Sequence, residues 1–177
     1  LQAQAGYMLV GVDGNFGYVQ GSSQAVVSQD VGSAFGLGGQ QGAPYGRVTL
    51  DTGVPTLSVS GFTFDDSGDG LLNARFGQFN PTVFPIPVHS DLSFTNAKGA
   101  LAFDIDIGPV AISPGLAIDW FDIDLTVADR IGITTERVQL TGPLPLPFLR
   151  GEVDLGPVAA LAEVGYIGGT LDGVDAK

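Results

Sequence analysis

Asp104-Ile-Asp-Ile-Gly-Pro-Val-Ala-Ile112 recurs, slightly altered, as Glu152-Val-Asp-Leu-Gly-Pro-Val-Ala-Ala160. Each copy alternates acidic and aliphatic residues, meets a Gly-Pro pair and continues with aliphatic residues. Because successive side chains of a β-strand point to opposite faces, the acids share one face and the aliphatic residues share the other. Gly-Pro is typical of a tight turn, since proline cannot donate to a sheet ladder. The two copies therefore predict two hairpins of an up-and-down antiparallel sheet with one polar and one apolar face.

The composition favours an all-β domain with many turns. Among 177 residues there are 27 glycines and 11 prolines, without the period of collagen, and no helical pattern is clearer than strand alternation. We expect about eight to ten strands connected in sequence order. Residues 14–44 show little pattern and are expected to form a long loop or plug-like segment. The chain is thus predicted to be one barrel domain over residues 1–177, complete or incomplete.

Charge and hydropathy narrow the class of partner. With 19 acids, 7 bases and a net charge of −12, the chain does not suit nucleic acid, whose phosphates require lysine and arginine. The absence of cysteine excludes disulfides and thiolate chemistry. A mean hydropathy of +0.28, without an apolar run near the roughly 18 residues of a membrane helix, is typical of a transmembrane barrel. The small residues of the segment 1–5 are expected to be the scar of a cleaved signal peptide.

Two local patterns depart from simple alternation. Leu57 and Val59 face one way and the neighbouring serines face the other, but Phe62 and Phe64 fall on the serine side. This inversion near Gly61 predicts either a β-bulge or an aromatic girdle at the strand end. The proline-rich stretches 81–87 and 143–147 are predicted to be ordered connections.

The run from Pro145 to Gly169 resembles the strand, turn and strand unit of bacterial outer-membrane β-barrel proteins, and the hairpin from Leu101 to Leu125 is similar to it. The resemblance covers residues 100–170 best. It implies a transmembrane barrel of the bacterial outer membrane, with the lipid bilayer as partner and a structural or passive solute- or ion-passage role. In that orientation the aliphatic face meets lipid and the charged face lines a lumen that attracts small cations or polar solutes. The candidate lumen-lining residues are Asp104, Asp106, Arg137, Glu152, Asp154 and Glu163.

One short motif has the spacing of a calcium loop. Within Asp65-Asp-Ser-Gly-Asp-Gly-Leu-Leu-Asn73, oxygen ligands would come from positions 1, 3, 5 and 9. Position 12 should carry an acid but carries phenylalanine, and no helices flank the motif. The segment is therefore either a weak calcium site or an acidic turn. No other cofactor site is predicted. The candidate ligands are Asp65, Ser67, Asp69 and Asn73.

No pattern indicates catalysis. Acids concentrate between Asp104 and Asp124, but no sugar-binding aromatic platform accompanies them. His89 is the only histidine, and no nucleophile elbow accompanies it. We therefore predict that the chain is not an enzyme.

Two soluble architectures accept the same alternation. One is a secreted or cell-surface β-sandwich that binds calcium at residues 65–73 and serves as an adhesion or interaction module. The other is a soluble barrel that holds a small apolar ligand. In both, the aliphatic side of the repeated hairpins would pack in a dry interior, whereas in a membrane barrel it would look outward. The membrane barrel is distinguished from the two soluble architectures by the orientation of four residues: Ile105, Ile107, Val153 and Leu155.

Overall fold

The computed structural model describes residues 1–18, 27–53, 55–79, 85–131, 133–156, 159–165, 169–171 and 174–176. Strands make up 74% of it, so the all-β prediction is confirmed. The elements are β1 (Gln2–Val10), β2 (Asn15–Phe16), β3 (Gln29–Asp30), α1 (Val31–Phe35), β4 (Gln41–Asp51), β5 (Thr56–Leu72), β6 (Ile86–Ala102), β7 (Ile105–Ile107), β8 (Val110–Asp129), β9 (Thr135–Asp154), β10 (Ala159–Gly165), β11 (Gly169–Leu171) and β12 (Val174–Ala176).

One large antiparallel sheet organises the molecule. Its strands follow the order β1-β4-β5-β6-β8-β9-β10, and β7 pairs with the start of β8. Both repeated Gly-Pro motifs form the predicted hairpins, β7–β8 and β9–β10. The sheet is curled into a half-barrel. Lys98 on β6 reaches Glu163 on β10 across two intervening strands, so the face that carries these two residues is the inner face.

The strand alternation runs through Gly61 without a bulge. Every residue from Thr56 to Leu72 has a single partner on β6, so the predicted bulge is wrong. Phe62 and Phe64 do lie on the same face as the neighbouring serines, and their rings pack 5.6 and 5.4 Å from that of Phe94. The register therefore stays constant at Gly61, and only the polarity of each face changes.

The proline-rich stretch 143–147 is part of β9 and not a connection, which corrects the prediction. Pro143, Pro145 and Pro147 stand opposite residues of β8. Alternate residues of an antiparallel strand direct their backbone groups to the same neighbour, so all three missing N–H groups point away from β8. On that side the pairing with β10 that the structure describes ends at Phe148. The prolines thus occupy an edge of the sheet, where they cost no ladder hydrogen bond.

The second proline-rich stretch also differs from its prediction. Ile86–His89 begin strand β6, which lies between β5 and β8, and residues 81–84 lie outside the described part of the chain. Proline is tolerated here because Pro87 is the second residue of the strand.

The chain segment before β4 and the segment after β5 cover the inner face at one end of the sheet. Described residues of the predicted plug segment, among them Val31, Phe35 and Leu37, join one apolar core with Leu72 and Phe76. The Gln29 side chain accepts hydrogen bonds from the Asn73 and Ala74 amides at 2.8 and 3.0 Å. This end of the curled sheet is therefore filled.

Glycines on β5 allow helix α1 to approach the sheet backbone. A Cβ atom at Gly70 would lie 2.2 Å from the carbonyl oxygen of Ala34, and one at Gly68 would lie 2.0 Å from that of Gly36. Gly36 ends the helix with a φ of 73°, in the left-handed region that glycine adopts at little cost. Backbone thus packs directly on backbone.

We expect Gly70→Ala to lower the free energy of unfolding by about 1–3 kcal/mol, because the added methyl group displaces α1 from β5. Gly99→Ala is the matched control: it lies on β6, and no atom lies within 4 Å of its added Cβ. Urea-induced unfolding of both variants measures the difference. Equal stability of the two would show that α1 does not rest on Gly70.

Candidate functional site

The outer face of the sheet changes polarity between two adjacent rows of paired residues. In one row stand Gly61, Ala97, Trp120 and Pro143, and in the next stand Thr63, Thr95, Asp122 and Thr141. On one side of this boundary the outward side chains are apolar, and many are exposed. We call them the outer band: Val48, Leu50, Leu57, Val59, Leu101, Ile105, Ile107, Val110, Ile112, Pro114, Leu116, Ile118, Trp120, Pro143, Pro145, Pro147, Leu149, Val153 and Val164.

Beyond the boundary the outer face of these four strands is mostly polar, with Leu71 as an exposed apolar exception; on β1, Tyr7 and Leu9 are also exposed beyond that level. The polar residues include Asp65, Ser67, Asp69, His89, Asp91, Ser93, Asp124, Thr126, Arg137 and Gln139. The polarity of the outward residues changes at the same row on all four long strands, although the sequences in that region share no motif. A change shared by four strands at one level indicates a boundary between two environments rather than a local feature of one strand.

The inner face shows the opposite distribution. Behind the polar part of the outer face lies the apolar core of Phe64, Leu92, Leu125 and Val138. Behind the outer band, the inner face carries polar residues together with a small apolar patch around Phe148. The polar residues of this part of the inner face form the inner polar cluster: Arg47, Thr56, Ser58, Ser60, Lys98, Ser113, Asp119, Arg150 and Glu163.

Glu163 organises this inner polar cluster. Its carboxylate accepts a hydrogen bond from Arg150 Nε at 3.0 Å and pairs with Arg150 Nη2 at 2.9 Å. It also pairs with the Lys98 ammonium group. Both cations lie over the ring of Phe148, at 5.2 and 4.8 Å from its centroid, where the ring's negative face attracts them. The cluster therefore ties β6, β9 and β10 together across the curl.

Arg47 lies in the same region without such a partner. Its residue is 7% exposed, its Nε has no hydrogen-bond partner, and no described carboxylate lies within ion-pair distance of it. It lines a cleft of about 360 Å³ that also includes Gln4, Asp104, Ser113 and Glu152. A buried N–H group without a hydrogen bond is costly, so the Arg47 Nε is available to an additional acceptor.

Most of the predicted lumen-lining residues lie on the inner face. Asp104 accepts a hydrogen bond from Thr56, Asp106 and Glu152 line the cleft, and Glu163 is in the cluster. Asp154 is on the inner face by the same alternation but lies at the hairpin end. There its carboxylate accepts a hydrogen bond from the Gly156 backbone N–H at 2.8 Å.

Arg137 is the exception. It lies on the outer face, its side chain is 61% exposed, and it pairs with Asp124. The prediction for Arg137 is wrong because it lies beyond the boundary, where the charged face of β9 is the outer one.

The candidate calcium ligands do not form a loop. Asp65, Ser67 and Asp69 stand at alternate outward positions of β5, so about 13 Å of strand separates the first from the last. His89 Nδ1 and Arg130 Nη2 approach the Asp69 carboxylate to 3.0 and 2.7 Å, and Asn73 lies past the strand end. Among the described residues, no three acids, histidines or cysteines are grouped as metal ligands would be. Calcium binding by the chain stays a prediction, but these four residues are not placed to share one ion.

Arg47, Lys98 and Phe148 are among the inner-face residues that the sequence did not single out. The signal for Arg47 was present, because it precedes the outward Val48 and Leu50 in alternation. Lys98 needed the knowledge that β6 runs unbroken from Ile86 to Ala102. Its contact with Glu163 joins strands that are distant in sequence, which no local pattern reveals.

The polar part of the outer face has its own ion pairs. Arg137 Nε and Gln139 Nε2 each donate to the Asp124 carboxylate at 2.9 Å. These hydrogen bonds, of which that from Arg137 has the larger effect, hold the pKa of Asp124 below its ordinary value. The pKa of Asp69 is likewise lowered, chiefly by its hydrogen bond with His89.

Comparison with protein-family models, curated proteins and solved structures finds no match to this chain. Among the described residues, no helix is both long and apolar enough to cross a bilayer. Functional inference therefore depends on the site itself.

We expect Glu163→Gln to lower the free energy of unfolding by about 2 kcal/mol or more, because it leaves the Arg150 side chain, 5% exposed, without a counter-charge. Glu152→Gln is the control, since Glu152 is an inner-face acid of the same strand pair without an ion pair at contact distance. Chemical unfolding measures both variants. A Glu163 variant as stable as the control would contradict the organising role of Glu163.

Arg137→Gln should raise the pKa of Asp124 towards its ordinary value, because the dominant hydrogen bond is lost. Since the folded-state pKa is the lower one, Asp124 stabilises the protein above its unfolded-state pKa and loses this effect as the pH falls through the folded-state pKa. The variant should therefore lose less stability on acidification. Carbon-13 NMR titration of the Asp124 carboxyl gives the pKa, with Arg130→Gln as a control that leaves it unchanged. An unchanged pKa in Arg137→Gln would contradict the assignment.

Proposed function

We propose that this protein is an integral β-sheet protein of the bacterial outer membrane, with a structural role and no catalysis. The observation that carries the proposal is the shared polarity boundary on four strands, with apolar side chains outward on one side of it. Exposed apolar areas of this extent are unfavourable in water. They are favourable where the surroundings are hydrocarbon.

The height of the outer band supports this proposal. On β8 the outward apolar positions extend from Val110 to Trp120, and on β9 from Pro143 to Val153. Eleven residues of strand are about 36 Å long, and about 25 Å high when tilted by about 45°. This is the thickness of the apolar band in transmembrane barrels. A hollow of about 900 Å³ over Gly99, lined by Val59, Leu101 and Ile118, would be filled by acyl chains.

The exposure of the aliphatic residues in the repeated hairpins also supports an outward-facing apolar side. Ile105, Ile107 and Leu155 are 53%, 61% and 63% exposed, and Val153 is half-buried. They do not pack together in a dry interior. A sandwich would need a second sheet over this face, and the described residues form one large sheet and two two-stranded pairs.

The filled end of the sheet favours a structural role over passage of solutes. Phe35, Phe76 and Leu72 are fully buried on the inner face beyond the boundary, and α1 lies directly on the β5 backbone. A solute entering the polar cleft would meet this core. The inner cluster therefore suits a closed, polar interior that stabilises the sheet.

Substitution of an outward residue by arginine tests the proposal. Leu116 lies at the middle of the band on β8 and is 65% exposed. In a membrane, Leu116→Arg should cost about 2–4 kcal/mol, whereas on a water-exposed surface it should be neutral. Ser67→Arg, an exposed position of the polar outer face, is the matched control and should change stability little. Unfolding from phospholipid vesicles measures both.

A wild-type chain that stays folded and monomeric in buffer without detergent, together with a neutral Leu116→Arg, would refute the membrane proposal. Heat-modifiable gel mobility after refolding in micelles would support it.

A further inference from the structure

The half-barrel ends in two strand edges that no described strand occupies. Strand β1 pairs only with β4, and β10 pairs only with β9. The outward side chains near these edges are exposed: Tyr7 is 85% exposed, Leu9 73% and Val164 64%. Each edge therefore presents unpaired backbone groups beside apolar side chains.

The direction of the two edges limits how they can be joined. Six successive antiparallel pairings separate β1 from β10, so the two edge strands run parallel to each other. Direct contact would require the single parallel pairing of an otherwise antiparallel sheet. An odd number of additional strands restores antiparallel pairing throughout, and one strand is the smallest such number.

These edges lack the protection found elsewhere in the sheet. The free edge of β9 carries three prolines whose missing N–H groups point away from β8, which prevents ladder formation there. Strand β1 contains neither proline nor a charged residue, and β10 contains only Glu163 as a charge. The edges of β1 and β10 lack such prolines, so an added strand is expected to pair there and not along the prolines of β9.

A buried arginine on the inner face favours a negatively charged residue on the added strand. Arg47 pairs in register with Gln4 of β1, so it lies one strand from the free edge. The residue is buried, its Nε has no hydrogen-bond partner, and it lines the cleft at that edge. A carboxylate on the next strand, facing inward, would meet this guanidinium, and a charge-assisted hydrogen bond would offset its burial.

We propose that an extended segment of a partner polypeptide fills the gap between β1 and β10 as an eighth strand. It runs antiparallel to both edges, carries apolar residues outward at the level of the outer band, and places an acid inward opposite Arg47. This inference goes beyond the proposed membrane role, because strand addition at these edges is expected in water as well as in a bilayer.

A synthetic peptide tests the proposal directly. The probe is fluorescein-labelled Thr-Val-Thr-Val-Glu-Val-Thr-Val-Thr, and fluorescence anisotropy measures its binding to the full chain in buffer or micelles, whichever keeps the chain folded. We expect saturable binding, and binding about tenfold weaker when glutamine replaces the peptide's glutamate. The two peptides should bind equally to Arg47→Gln. Arg137→Gln, which removes an arginine remote from the gap, should bind like the wild type.

A peptide with prolines at the two central valines is the control for ladder formation and should not bind. Absence of binding by the alternating peptide, or equal binding by the proline peptide, would overturn the proposal. Unequal binding of the two peptides to Arg47→Gln would overturn the role of Arg47.

Engineered cysteines test the gap itself, since the chain has none of its own. Double variants combine Ala3→Cys or Ala5→Cys with Ala162→Cys or Val164→Cys. A gap one strand wide keeps the edges about 9.6 Å apart, beyond disulfide reach, so mild oxidation should form no intramolecular bond. Ala5→Cys with Gly46→Cys is the positive control, because these residues face each other in the β1–β4 ladder. An intramolecular disulfide between β1 and β10 would show that the edges adjoin, and would overturn the proposal whatever the outcome of the membrane test.

Discussion

The side-chain period of a β-strand is fixed at two residues, and the rest of this structure depends on that constraint. Because four long strands keep an unbroken register, a residue cannot change faces when its surroundings change. The sequence therefore exchanges the polarity of its faces instead. Apolar residues occupy the outer face on one side of the row at Gly61 and the inner face on the other. The proposed membrane accounts for this exchange, because it would surround one part of the sheet with hydrocarbon and leave the other in water.

Each half of the sheet meets this constraint in its own way. Beyond the boundary, the inner face packs against α1 and its neighbouring segments, and the contact is close because glycines bring two backbones together. Behind the outer band the described residues form only a small apolar patch, and the inner face is held there by Glu163 between two cations that share the Phe148 ring. Such pairs are screened less when buried than on a surface, and the Arg150 side chain is 5% exposed. The ion pairs therefore replace hydrophobic packing where the apolar side chains look outward.

Much of the fold could be predicted from local pattern, and the errors about Gly61, Arg137 and the calcium motif have one physical source. The Gly-Pro hairpins and the antiparallel order follow from alternation and turn chemistry, which act over a few residues. The inversion at Gly61 was visible in the sequence but was assigned to a bulge or to an aromatic girdle at the strand end, because a single strand does not show that its neighbours invert at the same level. The same omission placed Arg137 inside and made Asp65 to Asn73 a loop. Arg47 and Lys98 belong to a cluster that exists only after β10 curls towards β4 and β6, so pairwise register and curvature were needed to find it.

Trp120 offers the most direct test of the two-environment account. It is the only tryptophan, is 51% exposed, and stands outward in the last apolar row before Asp122. In vesicles, its fluorescence should be quenched most by lipids brominated near the headgroup end of the acyl chain, because the proposed orientation puts the boundary row at the membrane interface. Quenching should be weaker with bromine near the chain end. Free access of iodide together with no quenching by any brominated lipid would contradict the central claim.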